Sequence, residues 1–275
     1  MSAGFGGVSC KGTSTHAREL SCALSQNCKP VLFTGCGYSG TGLLSHAFRA
    51  VNISIGHESL YNNDEGTSDW RRAVFSNASK DFKRVFCQYR HPYKVMFSAR
   101  ATLWNFRINV GDIFGLSNRS FDVATALNTV HKRYWRHLSR DFKALLWWVV
   151  YTRAARRQCS CSWNLELVST TILTDVCLLA GFHANRCAKF MTTRLARVNQ
   201  HRNGFNDTSV PVARNCVEHI VWFEATSLAN QLGYKHFPLK TSIKGSCFHQ
   251  YKVQFFRRGT KLSGGFVRKV SLGGT

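Results

Sequence analysis

Between Val31 and Leu44 the chain reads VLFTGCGYSGTGLL. Glycine at positions 35, 37 and 40 permits tight backbone turns, and Ser39 and Thr41 add hydroxyl donors. Leu43, Leu44, Ala47, Phe48 and Val51 then fall on one face at helical spacing, so the loop leads into a helix. The backbone N–H groups of Ser39, Gly40, Thr41 and Gly42 are expected to face one point there. Aligned donors and the positive end of the helix dipole favour an anion, by roughly 0.3–1 kcal/mol per charge at exposed sites. Phosphate is the expected guest, with Gly37 giving the turn. Nucleotide hydrolases carry Lys-Ser or Lys-Thr after the last glycine of such a loop. Here Thr41-Gly42 follows instead, which disfavours magnesium-dependent triphosphate chemistry. A glycine spacing of this kind carries weight only between a strand and a helix.

The flanking elements supply that context. KPVLFTG (Lys29 to Gly35) reads as a buried strand ending in glycine. NISIGHE (Asn52 to Glu58) and FKRVFCQYR (Phe82 to Arg90) are the next strand-like runs. Pro92 opens a helix running to about Trp104, since proline is tolerated in a first turn. Asn105 to about Arg119 reads as loop, and helical patterns recur at about Phe121 to His137 and Arg140 to Gln158. CSWNLELV (Cys161 to Val168) is expected as a strand, and TTILTDVCLLAG as a helix with Gly181 at its C-terminal cap. A last helix runs between capping residues Asn215 and Gly233. Strands alternating with helices imply α/β architecture, a central parallel sheet covered by helices on both faces. The expected organisation is a flexible leader over 1–28, an α/β domain over 29–239 and a basic C-terminal tail over 240–275.

The chain has 275 residues, 44% of them hydrophobic, enough for a sizeable core. Its longest apolar run, ALLWWVVY (Ala144 to Tyr151), is far short of the roughly 20 residues a spanning helix needs. Lys and Arg number 37 against 14 Asp and Glu, a net charge of +23. That balance favours a polyanionic partner, such as an acidic polysaccharide, a nucleic acid or an anionic membrane surface. The 11 cysteines are scattered without a CxxC pair, and the Cys159-x-Cys161 spacing fits no common zinc site, so no metal is expected. Sequons at Asn52, Asn77, Asn118 and Asn206 are compatible with a secretory lumen. The first residues lack the apolar stretch of a signal peptide and read as a transit-like leader or a disordered arm. Cytoplasm and secretory lumen both stay open.

With the loop GYSGT, three further segments resemble the sulfotransferases that use 3′-phosphoadenosine 5′-phosphosulfate (PAPS), in the order that family has them. IGHESLYNNDEGTSDW looks like the family's G-H-E segment followed by D-G and Trp, and by that resemblance Glu58 is the candidate general base, with His57 beside it as the alternative proton acceptor. CQYRHPYKVMFSA looks like the 3′-phosphate motif, with arginine at a strand end, proline at a helix start and serine eight residues after the arginine. Arg90 and Ser98 hold those places, and a strand-end guanidinium with a hydroxyl on the next helix can grip one phosphate. WWVVYTRAARR, LELV with Glu166, LLAGF and LANQLGY look like the later helix–strand–helix. RLARVNQHRNG, with Arg197 and Arg202, looks like the late basic loop. The resemblance covers about Pro30 to Tyr234.

It implies a three-layer P-loop-like fold and transfer of a sulfuryl group from PAPS to an acceptor hydroxyl of a carbohydrate, with an acidic glycan as the expected partner, without a metal. Gly37, Ser39, Gly40, Thr41, Gly42, Arg90 and Ser98 would bind the co-substrate, with Glu58 and Tyr38 catalytic. Tyr38 stands where the family carries lysine or arginine. Its hydroxyl could donate in place of that cation, another cation could reach in, or the chain could bind PAPS yet transfer poorly. Two alternatives compete: a nucleotide or small-molecule kinase on the same kind of loop, and a non-catalytic basic polyanion-binding protein that keeps the fold. Tyr251, Phe255, Phe256, Arg257 and Arg258 could stack on bases in the latter case. No nucleic-acid-binding motif is present, so nucleic acid is not the expected specific partner.

Overall fold

The computed structural model describes residues 4–5, 7–10, 28–37, 39–58, 64–70, 81–102, 138–193, 211–234 and 240–241. Tyr38, Arg197, Arg202, the predicted helix at 121–137 and the aromatic cluster at 251–258 lie outside them.

The main-sheet strands are β1 (Gly4–Phe5), β2 (Val8–Cys10), β3 (Lys29–Gly35), β4 (Ile55–His57), β5 (Gly66–Ser68), β6 (Phe82–Tyr89) and β7 (Cys161–Asn164). They form one sheet in the order β1-β2-β7-β6-β3-β5-β4. The run from β4 to β7 is parallel throughout. β2 pairs antiparallel with β7, and β1 with β2. The architecture is therefore α/β with a mixed, mostly parallel sheet. Part of the stretch expected as a flexible leader is built into it. Val8 is buried in the core, and Cys10 is disulfide-bonded to Cys161, its partner across the β2–β7 pair.

Helices α1 (Thr41–Ala50), α2 (Pro92–Thr102), α3 (Arg140–Gln158), α4 (Thr170–Leu179), α5 (Ala184–Ala188) and α6 (Cys216–Gln231) cover the sheet. Side chains alternate along a strand, so each strand feeds two cores. Leu32, Cys36, Val85 and Cys87 pack with α3 residues such as Leu145, Trp148 and Val149, and with Val221 and Leu228 of α6. Val31, Phe33 and Phe86 pack on the other face with Leu44 and Phe48 of α1 and Leu173 and Val176 of α4. The run read as too short to span a membrane is the buried centre of α3. No described helix is long and apolar enough to cross a bilayer.

One expected strand needs correction, and one strand has no counterpart in the sequence reading. The strand expected over Cys161 to Val168 stops at Asn164 and turns into a short 3-10 helix, Leu165–Leu167. The turn brings Leu165 over the glycine loop and Glu166 to the start of α2. β5 falls in a segment with no apolar alternation. Its Gly66 packs so tightly on β3 that a Cβ there would lie 2.4 Å from the Val31 carbonyl oxygen. The tail's first residues, Lys240–Thr241 (β9), pair in parallel with β8 (Val212–Ala213) as a separate two-stranded sheet.

Disulfides also join Cys87 to Cys159 and Cys177 to Cys187, and Cys28 and Cys216 each take part in a disulfide. The Cys159-x-Cys161 pair thus serves two different bridges, one to β6 and one to β2. Cys36, in the glycine loop, is a free and buried thiol.

The predicted cap at Asn215 forms: its side chain accepts from Glu218 N–H at 3.0 Å. Glu218 is itself buried and accepts from the backbone N–H of Ser139 and of Arg214, both at 2.7 Å. One carboxylate thereby ties the start of α3 to the start of α6. Glu218→Ala leaves both N–H donors without their acceptor and should destabilise by about 2–4 kcal/mol, read as a lower urea midpoint.

At the β4–β5 edge, Arg186 bonds both oxygens of Glu65, at 2.5 and 2.8 Å. The Arg186 guanidinium holds the Glu65 carboxyl below its usual range, against the opposing effect of burial. A depressed folded value contributes stability above the unfolded pKa of about 4.3 and loses it as pH falls through the folded value. The stability difference between wild type and Glu65→Gln should stay constant from about pH 7 to 5 and close below about pH 4. Urea titrations at each pH measure it.

Candidate functional site

β3 and β6 end side by side, with Gly35 registered against Gln88. From β3 the chain leaves through α1 towards β4, and from β6 through α2 and α3 towards β7, on the opposite side of the sheet. Such a reversal opens a crevice at the carboxyl ends of the strands, where ligands of open α/β sheets bind. Both segments singled out in the sequence, the glycine loop and the Arg90 segment, lie at this point.

The loop is built by close packing. A Cβ at Gly35 would lie 2.3 Å from the Gln88 carbonyl oxygen and 2.5 Å from Ser39 Oγ. One at Gly37 would lie 2.5 Å from the ring of Trp147. Gly40 caps α1 with φ 95°, a left-handed conformation, with Leu165 against it. The N-cap is Gly40, which has no side chain to cap α1, and the first turn holds no acid. The orphan N–H groups expected at a helix start are therefore not taken by the side chain of the N-cap residue.

One expected donor is used internally: Ser39 N–H donates to the Cys36 carbonyl at 3.0 Å, closing a turn. Ser39 Oγ is 1% exposed and has no hydrogen-bond partner among the described residues. The amide of Gln88, a buried residue of β6, has none either. Buried polar groups are nearly always satisfied, so the Ser39 hydroxyl at the start of α1 is a hydrogen-bonding group still available to a ligand. The residues left to hold a phosphate are Gly40, Thr41 and Gly42 through their backbone and Ser39 through its hydroxyl.

Ser68 and Ser45 fix α1 against the sheet. Ser68 Oγ donates to the Thr41 carbonyl and Ser45 Oγ to the Ile55 carbonyl, both at 2.7 Å.

The two residues of the second motif come together. Arg90 Nη1 donates to Ser98 Oγ at 3.2 Å. Burial weakens the guanidinium's hold on its proton, while the nearby Glu166 carboxylate works the other way. Glu166 accepts from His91 N–H and from the Tyr234 hydroxyl, both at 2.9 Å, and lies 3.6 Å from Lys94 Nζ. Burial and this carboxylate push the Tyr234 hydroxyl far above the ordinary phenol range, so it stays a donor. Glu166 thus joins the ends of β7 and α6 to the Arg90 segment. Local spacing carries no sign of this.

Glu58 follows β4 at the same end of the sheet. It takes φ 56°, a conformation uncommon for a residue with a side chain. Its N–H donates to the Ser68 carbonyl, and its Oε1 accepts from Trp70 Nε1 at 2.8 Å. Trp70 packs against Trp147, centroids 5.5 Å apart, and Tyr151, 5.2 Å. Trp147 is the ring that lies under Gly37. The candidate base is thereby linked to the loop through an aromatic floor. His57, beside it, lies with Nε2 3.3 Å from Thr41 Oγ1. Among the described residues, no group of three or more His, Cys, Asp or Glu side chains is arranged to hold a metal ion.

The chain matches no family model, no curated protein and no solved structure.

The packing at Gly37 gives a test of the loop. Gly37→Ala forces the loop off Trp147 and should cost about 1–3 kcal/mol, because overpacking a tight site is relieved only by backbone shifts. A thermal melt reads the stability change, and tryptophan fluorescence reads the displacement of the Trp70–Trp147 pair.

Proposed function

We propose that this chain is a sulfotransferase on a three-layer P-loop-like fold, moving a sulfuryl group from PAPS to an acceptor hydroxyl. The observation that supports it best is the meeting of two segments read separately from the sequence. An uncapped helix N-terminus with a buried, unpartnered serine hydroxyl lies on one strand end. The Arg90–Ser98 pair starts from the neighbouring strand end. Two anion-binding elements at adjacent strand ends suit a ligand with two phosphates.

The co-substrate supplies the sulfuryl group and a 5′-phosphate as leaving group. The N–H groups of Gly40, Thr41 and Gly42 with the Ser39 hydroxyl hold the 5′-phosphate. Arg90 and Ser98 hold the 3′-phosphate and set the register. Glu58, oriented by the Trp70 N–H, takes the proton of the acceptor hydroxyl as its oxygen attacks sulfur and the bond from sulfur to the bridging oxygen breaks. Positioning and electrostatics carry such a transfer. The net charge of +23 favours an acidic acceptor, and a carbohydrate hydroxyl is the acceptor we infer. The disulfides, with the sequon at exposed Asn52, favour an oxidising secretory lumen over the cytoplasm.

The test is a thermal-shift titration with adenosine 3′,5′-bisphosphate, the desulfated product, without magnesium. At 100 times its dissociation constant the ligand should stabilise by about 2.7 kcal/mol. Arg90→Ala should remove the shift while leaving the protein folded. A shift with magnesium and ATP but none with the bisphosphate would favour the kinase, and no shift with either would sink the catalytic reading. In an acceptor assay, Glu58→Gln should lower kcat by about 10²–10⁴-fold with the bisphosphate shift retained.

A further inference from the structure

From Cys36 to Leu44 the loop contains no lysine or arginine, yet an ionisable side chain reaches it from the sheet. His57 ends β4 and is registered against Ser68 of β5. Its Nε2 lies 3.3 Å from the hydroxyl of Thr41, the first residue of α1. Ser68 also holds the Thr41 carbonyl at 2.7 Å. One β5 residue therefore sets the spacing between imidazole and helix start. His57 is half-buried, and Thr41 is buried.

We propose that His57 is the cation of the 5′-phosphate site. Its imidazolium, sharing the Thr41 hydroxyl, stabilises the negative charge that builds on the bridging oxygen as the bond to sulfur breaks. The inference rests on the sulfotransferase reading above, and it gives the site a positive charge that the loop's own residues lack. The imidazolium keeps its proton through the transfer, and the acceptor proton goes to Glu58.

Among the described residues, two acids adjoin His57 in the chain and on its partner strand. Glu58 follows it in the chain with its Oε1 bonded to Trp70. Asp69 follows β5, its N–H donating to the Phe33 carbonyl. The first turn of α1 carries no acid, and its Thr41-Gly42-Leu43-Leu44 sequence no base. An anion bound at this helix start and a proton on His57 favour each other, and the coupling is reciprocal. Imidazole changes charge between about pH 5 and 8. Affinity for the phosphate should therefore fall as pH rises through that window. The ligand's own phosphates gain charge over the same range, so the contribution of His57 is read as a difference between variants.

The experiment is calorimetric titration with adenosine 3′,5′-bisphosphate from about pH 5.5 to 8.5, a range chosen to span imidazole titration. It compares wild type, His57→Gln, His57→Lys and Arg90→Ala, each checked for folding by circular dichroism. Wild type should bind about tenfold tighter than His57→Gln at the acid end, the effect of one nearby charge, with the ratio closing to about one at the alkaline end. His57→Lys should bind tighter than His57→Gln at every pH. If His57→Gln does not fold, His57→Asn takes its place. Parallel profiles for wild type and His57→Gln, with binding still lost in Arg90→Ala, overturn the role of His57 and leave the sulfotransferase reading standing. Failure of wild type to bind at any pH overturns both.

Discussion

The parallel pairing of β3 with β6 is the constraint on which the candidate site depends. It runs from Lys29 against Phe82 to Gly35 against Gln88 and brings two strand ends level. At Gly35 the backbones approach so closely that any Cβ would collide with the Gln88 carbonyl. Glycine there is thus a condition of the pairing as well as of the turn that follows. The pairing puts the loop that leads into α1 and the Arg90 segment at adjacent strand ends, although the two lie far apart in the chain. Each alone would be a weak anion site, one from backbone donors and one from a single guanidinium. Side by side they can share one ligand, which raises affinity without any new charge.

Around these strand ends the site is held by packing and by hydrogen bonds to carboxylates. Trp147 supports the loop at Gly37, Trp70 packs on Trp147, and Trp70 in turn donates to Glu58. The acid beside Arg90 is similarly occupied: Glu166 takes protons from a backbone N–H and from the Tyr234 hydroxyl, with Lys94 close by. That leaves the guanidinium next to a carboxylate whose lone pairs are largely engaged. Groups held this way need little reorganisation when charge moves, which is the physical basis of electrostatic catalysis. Disulfides add long-range ties around the same frame, fastening β2 to β7 and β6 to the end of α3.

Much of the secondary structure is legible because the signals are local. The limits of α3 follow from its apolar run, the start of α6 from Asn215, and the end of α4 from Gly181, which takes φ 83°. β5 is not legible, since Gly66, Thr67 and Ser68 are buried by neighbouring strands and not by their own hydrophobicity. β2 is hidden for a related reason: three residues in a basic, glycine-rich stretch become a strand only when β7 offers them an edge. The shortening of β7 is a tertiary matter too, because Leu165 turns aside to pack on Gly40. The cysteines gave no pairing by spacing, since bridges at separations of 151 and 72 residues depend on how the sheet is ordered.

By itself the sequence determined which residues are candidates. The glycine loop opening a helix, the arginine at a strand end with a serine eight residues on, and the absence of a basic residue in the loop are all read from residue types and spacing. These signals survive because turns, caps and strand–helix junctions are governed by the residues within a few positions. The tertiary structure decided what those candidates do with their atoms. It spent the Ser39 N–H on the Cys36 carbonyl, left the Ser39 hydroxyl unpartnered, joined Glu58 to Trp70, and set His57 against Thr41. Such pairings are fixed by strand order and register. A slip of one residue in the register of β4 would send His57 to the other face of the sheet, away from Thr41.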